Sequence, residues 1–190
     1  MYMKKALFFF LAYFVISVSN AQESNSKAFI QAFKTHLGNY YEGIITAGGK
    51  EGDGFTGKRL LMQVMSYNDS AIKVPFFVGD DKSRTWIFSL NNNLVELKHD
   101  HRKPDGNPDK ITFYGGTATN EGTAHMQMFP ADASTEELID YAAYNVWWVT
   151  IDETKFSYNL RRIGSERVFS VEFDLTKPVS SDFKPWNNAN

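Results

Sequence analysis

An antiparallel up-and-down β-barrel of about ten strands, with an N-terminal helix and one short inserted helix, is the fold class this sequence predicts. Three observations predict it. From Asn39 to Leu175, short segments rich in Tyr, Phe, Ile, Val and Trp are separated by clusters of Gly, Asn, Asp and Pro, the pattern of successive strands. Most of the separating clusters are too short to hold a crossover, so neighbouring strands form a meander, and a long meander curls until no unpaired edge is left. Helical periodicity is confined to two stretches.

The chain opens with Lys4 and Lys5, an apolar run from Ala6 to Val18, and Ser19-Asn20-Ala21, which places small residues three before and immediately before the next bond. That is the pattern of a cleavable secretory signal over residues 1–21, with cleavage before Gln22. The apolar run is too short for a membrane anchor, since spanning takes about 20 residues. The mature chain is expected to be exported, periplasmic or extracellular, and to have no membrane span. With no cysteine it has no thiol to acylate, no disulfide framework and no thiolate chemistry.

Ser24 to Leu37 predicts the first helix: Phe29, Phe33 and Leu37 recur every fourth residue, and Gly38 supplies a left-handed stop. Strands are expected near 39–46, 58–67, 71–79, 84–91, 94–102, 110–114, 122–129, 145–151, 155–163 and 166–175. Gly164-Ser165 reads as a two-residue type II′ hairpin turn between Ile163 and Glu166, and Asn91-Asn92-Asn93 and Asp152-Glu153 as further tight turns. Ser134 followed by Glu137 is a capping-box signature, with Leu138, Ile139 and Ala142 as the apolar side of the inserted helix. Residues 22–176 thus form one domain, and the tail 177–190, with Pro178 and Pro185, leaves the sheet and runs over the surface.

The early helix, Gly38-Asn39-Tyr40, and a meander ending in the aromatic strand Val168 to Leu175 resemble the calycins, the lipocalin and fatty-acid-binding group. The resemblance is one of pattern. Lipocalins generally open their first strand with Gly-x-Trp, where this chain has Tyr40, and the Gly-rich loop 47–57 occupies the place of the two helices of fatty-acid-binding proteins. Ile111-Thr-Phe-Tyr-Gly-Gly, Asn145-Val-Trp-Trp-Val and Asn159-Leu-Arg-Arg-Ile-Gly also resemble uncharacterised secreted bacterial proteins, which implies no activity.

Several chemistries are disfavoured by what is missing. Without Lys4 and Lys5 the chain carries 18 basic against 22 acidic residues and no basic stripe, so nucleic-acid binding is not expected. Gly52-x4-Gly57-Lys58 resembles a phosphate-binding loop, but Arg59 stands where Ser or Thr would ligate magnesium, and a strand follows where the motif needs a helix. Lys103-Pro-Asp-Gly-Asn-Pro-Asp lacks the alternating acids of a calcium loop. No Gly-x-Ser-x-Gly occurs.

Lys98-His99-Asp100-His101-Arg102 is the most informative short stretch. Alternate residues of a strand share a face, so His99 and His101 lie with Val95 and Leu97 on the inner side, and Glu96, Lys98, Asp100 and Arg102 on the outer. His-x-His on a strand is also a geometry for holding a divalent metal. Asp105 or Asp109 would be the third ligand, because His36 belongs to the first helix and His125 points outward if Met126 and Met128 point in.

In the ninth strand Phe156, Tyr158, Leu160 and Arg162 share the inner face. Tyr158 and Arg162 could hold a ligand carboxylate, as the resemblance to fatty-acid-binding proteins implies, although the spacing here is four residues where that family has two. Of adjacent Trp147 and Trp148, one faces the core and the other the surface, and Trp86 joins the core. His99, His101, Tyr158 and Arg162 are therefore the candidate anchors for a small, largely apolar or amphipathic molecule. The competing expectations are an enzyme with a histidine-based site at the barrel mouth, with or without metal, and a structural or assembly protein with a filled barrel.

Overall fold

The computed structural model describes residues 23–186. The signal expected at residues 1–21 and the tail beyond residue 186 lie outside the described residues.

The strands are β1 (Tyr40–Ala47), β2 (Leu60–Gln63), β3 (Ser66–Asn68), β4 (Ala71–Val78), β5 (Asp81–Asn91), β6 (Leu94–His101), β7 (Tyr114–Thr117), β8 (Met126–Pro130), β9 (Asn145–Ile151), β10 (Lys155–Arg162) and β11 (Val168–Asp174). Ten of them follow one antiparallel path, β7-β6-β5-β4-β2-β1-β11-β10-β9-β8, with β3 a spur on β4. The result is mainly β, a nearly closed barrel, as the sequence predicts. The path brings the first and last strands together mid-sheet, and the seam falls between β7 and β8. The complete closure expected from a meander is therefore not reached through strand pairing.

Side chains and tight backbone approach bridge that seam. Helix α2 (Ala133–Leu138) follows β8, and the Thr135 hydroxyl, fully buried, accepts from Gly115 N at 2.7 Å and donates to Gly115 O at 2.8 Å. Asp132 N also donates to Gly115 O, and the Asp132 carboxylate pairs with Lys98 of β6. A Cβ on Gly116 would lie 1.8 Å from the Pro130 carbonyl oxygen, so only glycine admits this contact. The helix is capped by Asp132, whose side chain accepts from Thr135 N, and not by Ser134 as the capping-box pattern predicts. Of its expected apolar side, Ile139 and Ala142 are buried and Leu138 is exposed.

Helix α1 (Asn25–Ala32) plugs one end of the barrel. Ser24 caps it, and Asn25 and Ser26 donate to the Gly122 and Glu121 carbonyls beyond β7. Phe33, just past the helix, is inserted against Phe88 of β5 and Phe156 of β10 at 5.6 and 5.7 Å between ring centroids. The expected inner position of Leu37 is not observed. The helix ends five residues earlier and passes into a 3₁₀ turn at Lys34–His36, which turns Leu37 outward before Gly38 (φ +84°) makes the stop.

Other boundaries differ for local reasons. The expected strand 58–67 divides into β2 and β3. β7 starts later than expected, because the Thr112 hydroxyl takes the His101 N–H and Phe113 adopts φ +59°, which interrupts the ladder before Tyr114. In β8 the inward residues are Gln127 and Phe129, not Met126 and Met128. The Gln127 amide is buried because it donates to the Glu121 and Thr123 carbonyls at the plugged end, and both methionines face outward. Asn92 and Asn93 both have positive φ, as a two-residue turn between paired Asn91 and Leu94 requires. The β10–β11 connection keeps the expected register, but it opens to a four-residue loop closed by Arg162 N donating to Arg167 O.

The tail runs over the surface and covers an outer apolar patch. Val179 N donates to Tyr40 O, the Tyr40 hydroxyl donates to Phe183 O, and the Phe183 ring meets Phe77 edge-on at 5.5 Å. This leaves Leu61 and Phe77, a cross-strand pair on the outer face, fully buried.

In β11, Phe169, Val171 and Phe173 are buried, as is Leu175 just beyond it, while Glu172 lies on the outer side. Phe173 touches the rings of Phe76, Trp86 and Phe156. Phe173→Ala is expected to cost about 3–5 kcal/mol in urea unfolding through lost burial and a residual cavity. A loss below about 1 kcal/mol would contradict this account of the core.

Candidate functional site

The barrel interior is divided across its middle by aromatic rings. Trp86 of β5 is stacked between Phe76 of β4, at 4.7 Å, and Tyr158 of β10, at 4.4 Å. Below this layer Phe88, Phe129, Phe156, Phe173, Phe29 of α1 and Phe33 fill the lumen. Above it lies a cavity of about 250 Å³ that reaches the rim opposite α1. Its walls include Trp147, Leu160, Ala142 and Phe169, and its rim includes the half-exposed Ile111 and the exposed Tyr141.

His99 sits in the floor of this cavity. Its Nδ1 is 3.0 Å from the Tyr114 carbonyl oxygen, which can only accept, so Nδ1 carries the proton. Nε2 of the neutral ring is then an acceptor, and the Tyr158 hydroxyl donates to it at 2.7 Å. The Tyr114 ring stacks on the imidazole at 4.5 Å and Trp147 closes in at 5.1 Å. Burial lowers the His99 pKa to about 3, against the opposing hydrogen bond to Tyr114 O, and pushes the Tyr158 hydroxyl well above its usual value.

His101 lies one step nearer the rim. Burial, reinforced by the Arg84 guanidinium, lowers its pKa to about 4, and its Nε2 is 3.2 Å from the Tyr114 hydroxyl. That hydroxyl is itself pushed up to about 12 by burial. Both imidazoles are thus neutral at pH 7. The structure brings His99, His101, Tyr158 and Arg162 to one cavity, with Tyr158 at the floor and Arg162 at the rim. Arg162 donates from Nε to Asn145 Oδ1 at 2.9 Å and lies over the Tyr141 ring at 4.8 Å.

Other expectations resolve differently. Asp100, expected on the solvent side of β6, is buried, and its carboxylate accepts from Arg102 Nε and the Thr112 hydroxyl beneath loop 103–113. Asp105 accepts from Asn107 within the loop. Among the described residues no group of three His, Cys, Asp or Glu is gathered in a way that could hold a metal, and both ring nitrogens of His99 are engaged in hydrogen bonds. His125 is exposed ahead of β8, with Nδ1 donating to Ile151 O at 3.0 Å. Trp147 is buried and Trp148 half-exposed on the outer face.

The wall also contains residues for which the sequence raised no expectation, among them Phe55, Arg84, Tyr114 and Arg167. Two were readable. Counting back from the Asn92-Asn93 turn places Arg84 opposite His101, and the β10–β11 register places Arg167 opposite Arg162. Phe55 left no signal, because it comes from the Gly-rich loop. Asp53 organises that loop by accepting from the amides of Lys50, Phe55 and Thr56, which tucks Phe55 onto Phe169 at 4.8 Å and Phe76 at 6.2 Å.

Fold and site together define a nearly closed antiparallel β-barrel with one plugged end and one cavity-bearing end. Comparison with protein-family models, with curated proteins and with solved structures gives no match for this chain.

The lowered histidine pKa values carry a stability consequence. Below the ordinary value of 6.5 an unfolded chain takes up protons that His99 and His101 refuse in the folded state. Stability is therefore full above 6.5 and falls as pH drops toward about 4, by about 1.4 kcal/mol per pH unit for each whole proton of difference. Asp132 and Asp174, lowered to about 2, act only below their ordinary 3.8 and leave this window to histidine. Urea unfolding of wild type and His99→Gln at pH 7, 6 and 5 should show a shallower slope in the variant. An unchanged slope would contradict the neutral, buried assignment of His99.

Proposed function

We propose that this chain is an exported binding protein that holds a small, largely apolar molecule in the mouth cavity of its barrel. The observation that carries the reading is the cavity itself: about 250 Å³ left open above a floor of stacked rings, in a barrel whose other half is filled with phenylalanine side chains. A barrel serving only as a structural unit has no use for that void, since unfilled interior volume costs stability. A concave wall in which aromatic and aliphatic side chains converge with placed polar groups is the usual composition of a small-molecule site. The resemblance to calycins points the same way, and the Lys4 to Ala21 pattern supports export.

Between binding and catalysis, the hydrogen bonding of His99 favours binding. Its acceptor nitrogen is already occupied by Tyr158, so the floor offers no free general base. The polar floor orients a guest through hydroxyl and imidazole dipoles, and the apolar walls supply the affinity.

Native mass spectrometry of protein purified from its source, with solvent extraction of the same material, tests the reading. A stoichiometric small molecule is expected, and Leu160→Trp, which projects an indole into the void, should abolish it while circular dichroism stays unchanged. Wild type that carries no guest by either assay, or a Leu160→Trp protein that keeps it, would overturn the proposal.

A further inference from the structure

Resting on the mouth cavity as a binding site, we infer that its ligand is a compact apolar carboxylate, held by Arg162 and Arg167 at the base of the β10–β11 hairpin. Three arginines line the cavity, and no aspartate or glutamate does. Arg84 is ion-paired with Asp81, but neither Arg162 nor Arg167 has a carboxylate within ion-pair distance among the described residues. Arg162 spends Nε on Asn145, which leaves its terminal nitrogens without a hydrogen bond among the described residues. Arg167 is half-buried and its guanidinium makes none.

The backbone explains why these two cations share a place. Arg162 N donates to Arg167 O across the hairpin, and both residues continue the inward-facing series of their strands, Phe156-Tyr158-Leu160 on one and Phe169-Val171-Phe173 on the other. Two like charges on paired backbone positions that line one cavity favour an anion between them. A carboxylate matches the planar fork of a guanidinium, accepts bidentate bonds and neutralises the pair.

The cavity also limits the rest of the molecule. A dry cavity of about 150 Å³ is enough for benzene, and drug-sized ligands occupy about 300–1,000 Å³. At about 250 Å³, closed below by Trp86 and Tyr158, the site takes one or two rings, or a branched equivalent, and has no depth for a long acyl chain.

Isothermal titration calorimetry of the purified protein at pH 7 with 2-naphthoate, and with neutral 2-naphthamide of the same shape, separates charge recognition from cavity filling. Wild type should bind the acid about tenfold or more tighter than the amide, the worth of one hydrogen bond to a charged group. R162Q and R167Q should each remove most of that preference and leave amide affinity within about twofold, while R161Q, on the exposed face of the same strand, should change neither. Equal affinities for acid and amide would overturn the carboxylate inference and leave the cavity reading standing. No binding of either would count against both. A preference for the acid that survives R162Q and R167Q would place the anion elsewhere and overturn the assignment.

Discussion

One buried hydrogen bond sets the level at which this barrel changes from filled to hollow. The Tyr158 hydroxyl and His99 imidazole meet at 2.7 Å across the lumen, joining β10 to β6, two strands far apart on the sheet path. Neither polar group could be buried alone without a cost of about 1–3 kcal/mol. Together, with the Tyr114 carbonyl taking the remaining imidazole proton, both are satisfied. Their rings are then fixed, and Trp86 and Phe76 stack on from one side while Tyr114 and Trp147 approach from the other.

The two halves of the lumen follow from that crossbar. Below it every inward residue is apolar or locally bonded, and Phe29 of α1 and Phe33 just past it finish the filling. Above it the inward positions of the same strands carry His101, Arg84, Arg162 and Arg167, side chains too polar to pack into a dry core. The mouth stays open because the strands run on past the crossbar with residues that need water or a guest. Phe55, brought in by the Asp53-organised loop, shields one side of that opening.

Much of this was legible in the residues. Alternation in β6, β10 and β11 predicts which side chains face inward, because those strands are long and one face of each repeats apolar residues at every second place. The same rule misleads in β8, where Met126 and Met128 are more apolar than Gln127; the amide goes inside because the backbone carbonyls of Glu121 and Thr123 are there to receive it, and a one-dimensional pattern cannot show that. The seam was unreadable for a similar reason. The adjacent Gly115 and Gly116 lie far in sequence from Pro130 and Thr135, and they meet them only once the barrel has curled. His99 and Tyr158 were identifiable as inward-facing, but their direct bond depends on how many strands separate them and how far the barrel closes.

Nitrogen-15 NMR of the histidine side chains tests the crossbar most directly. His99 should appear as the neutral Nδ1-protonated tautomer, with its Nε2 shift displaced by the Tyr158 hydroxyl, and should keep that form from pH 8 down to pH 5. An Nε2-protonated ring, or a His99 that titrates near the ordinary value of 6.5, would contradict the arrangement on which the cavity depends.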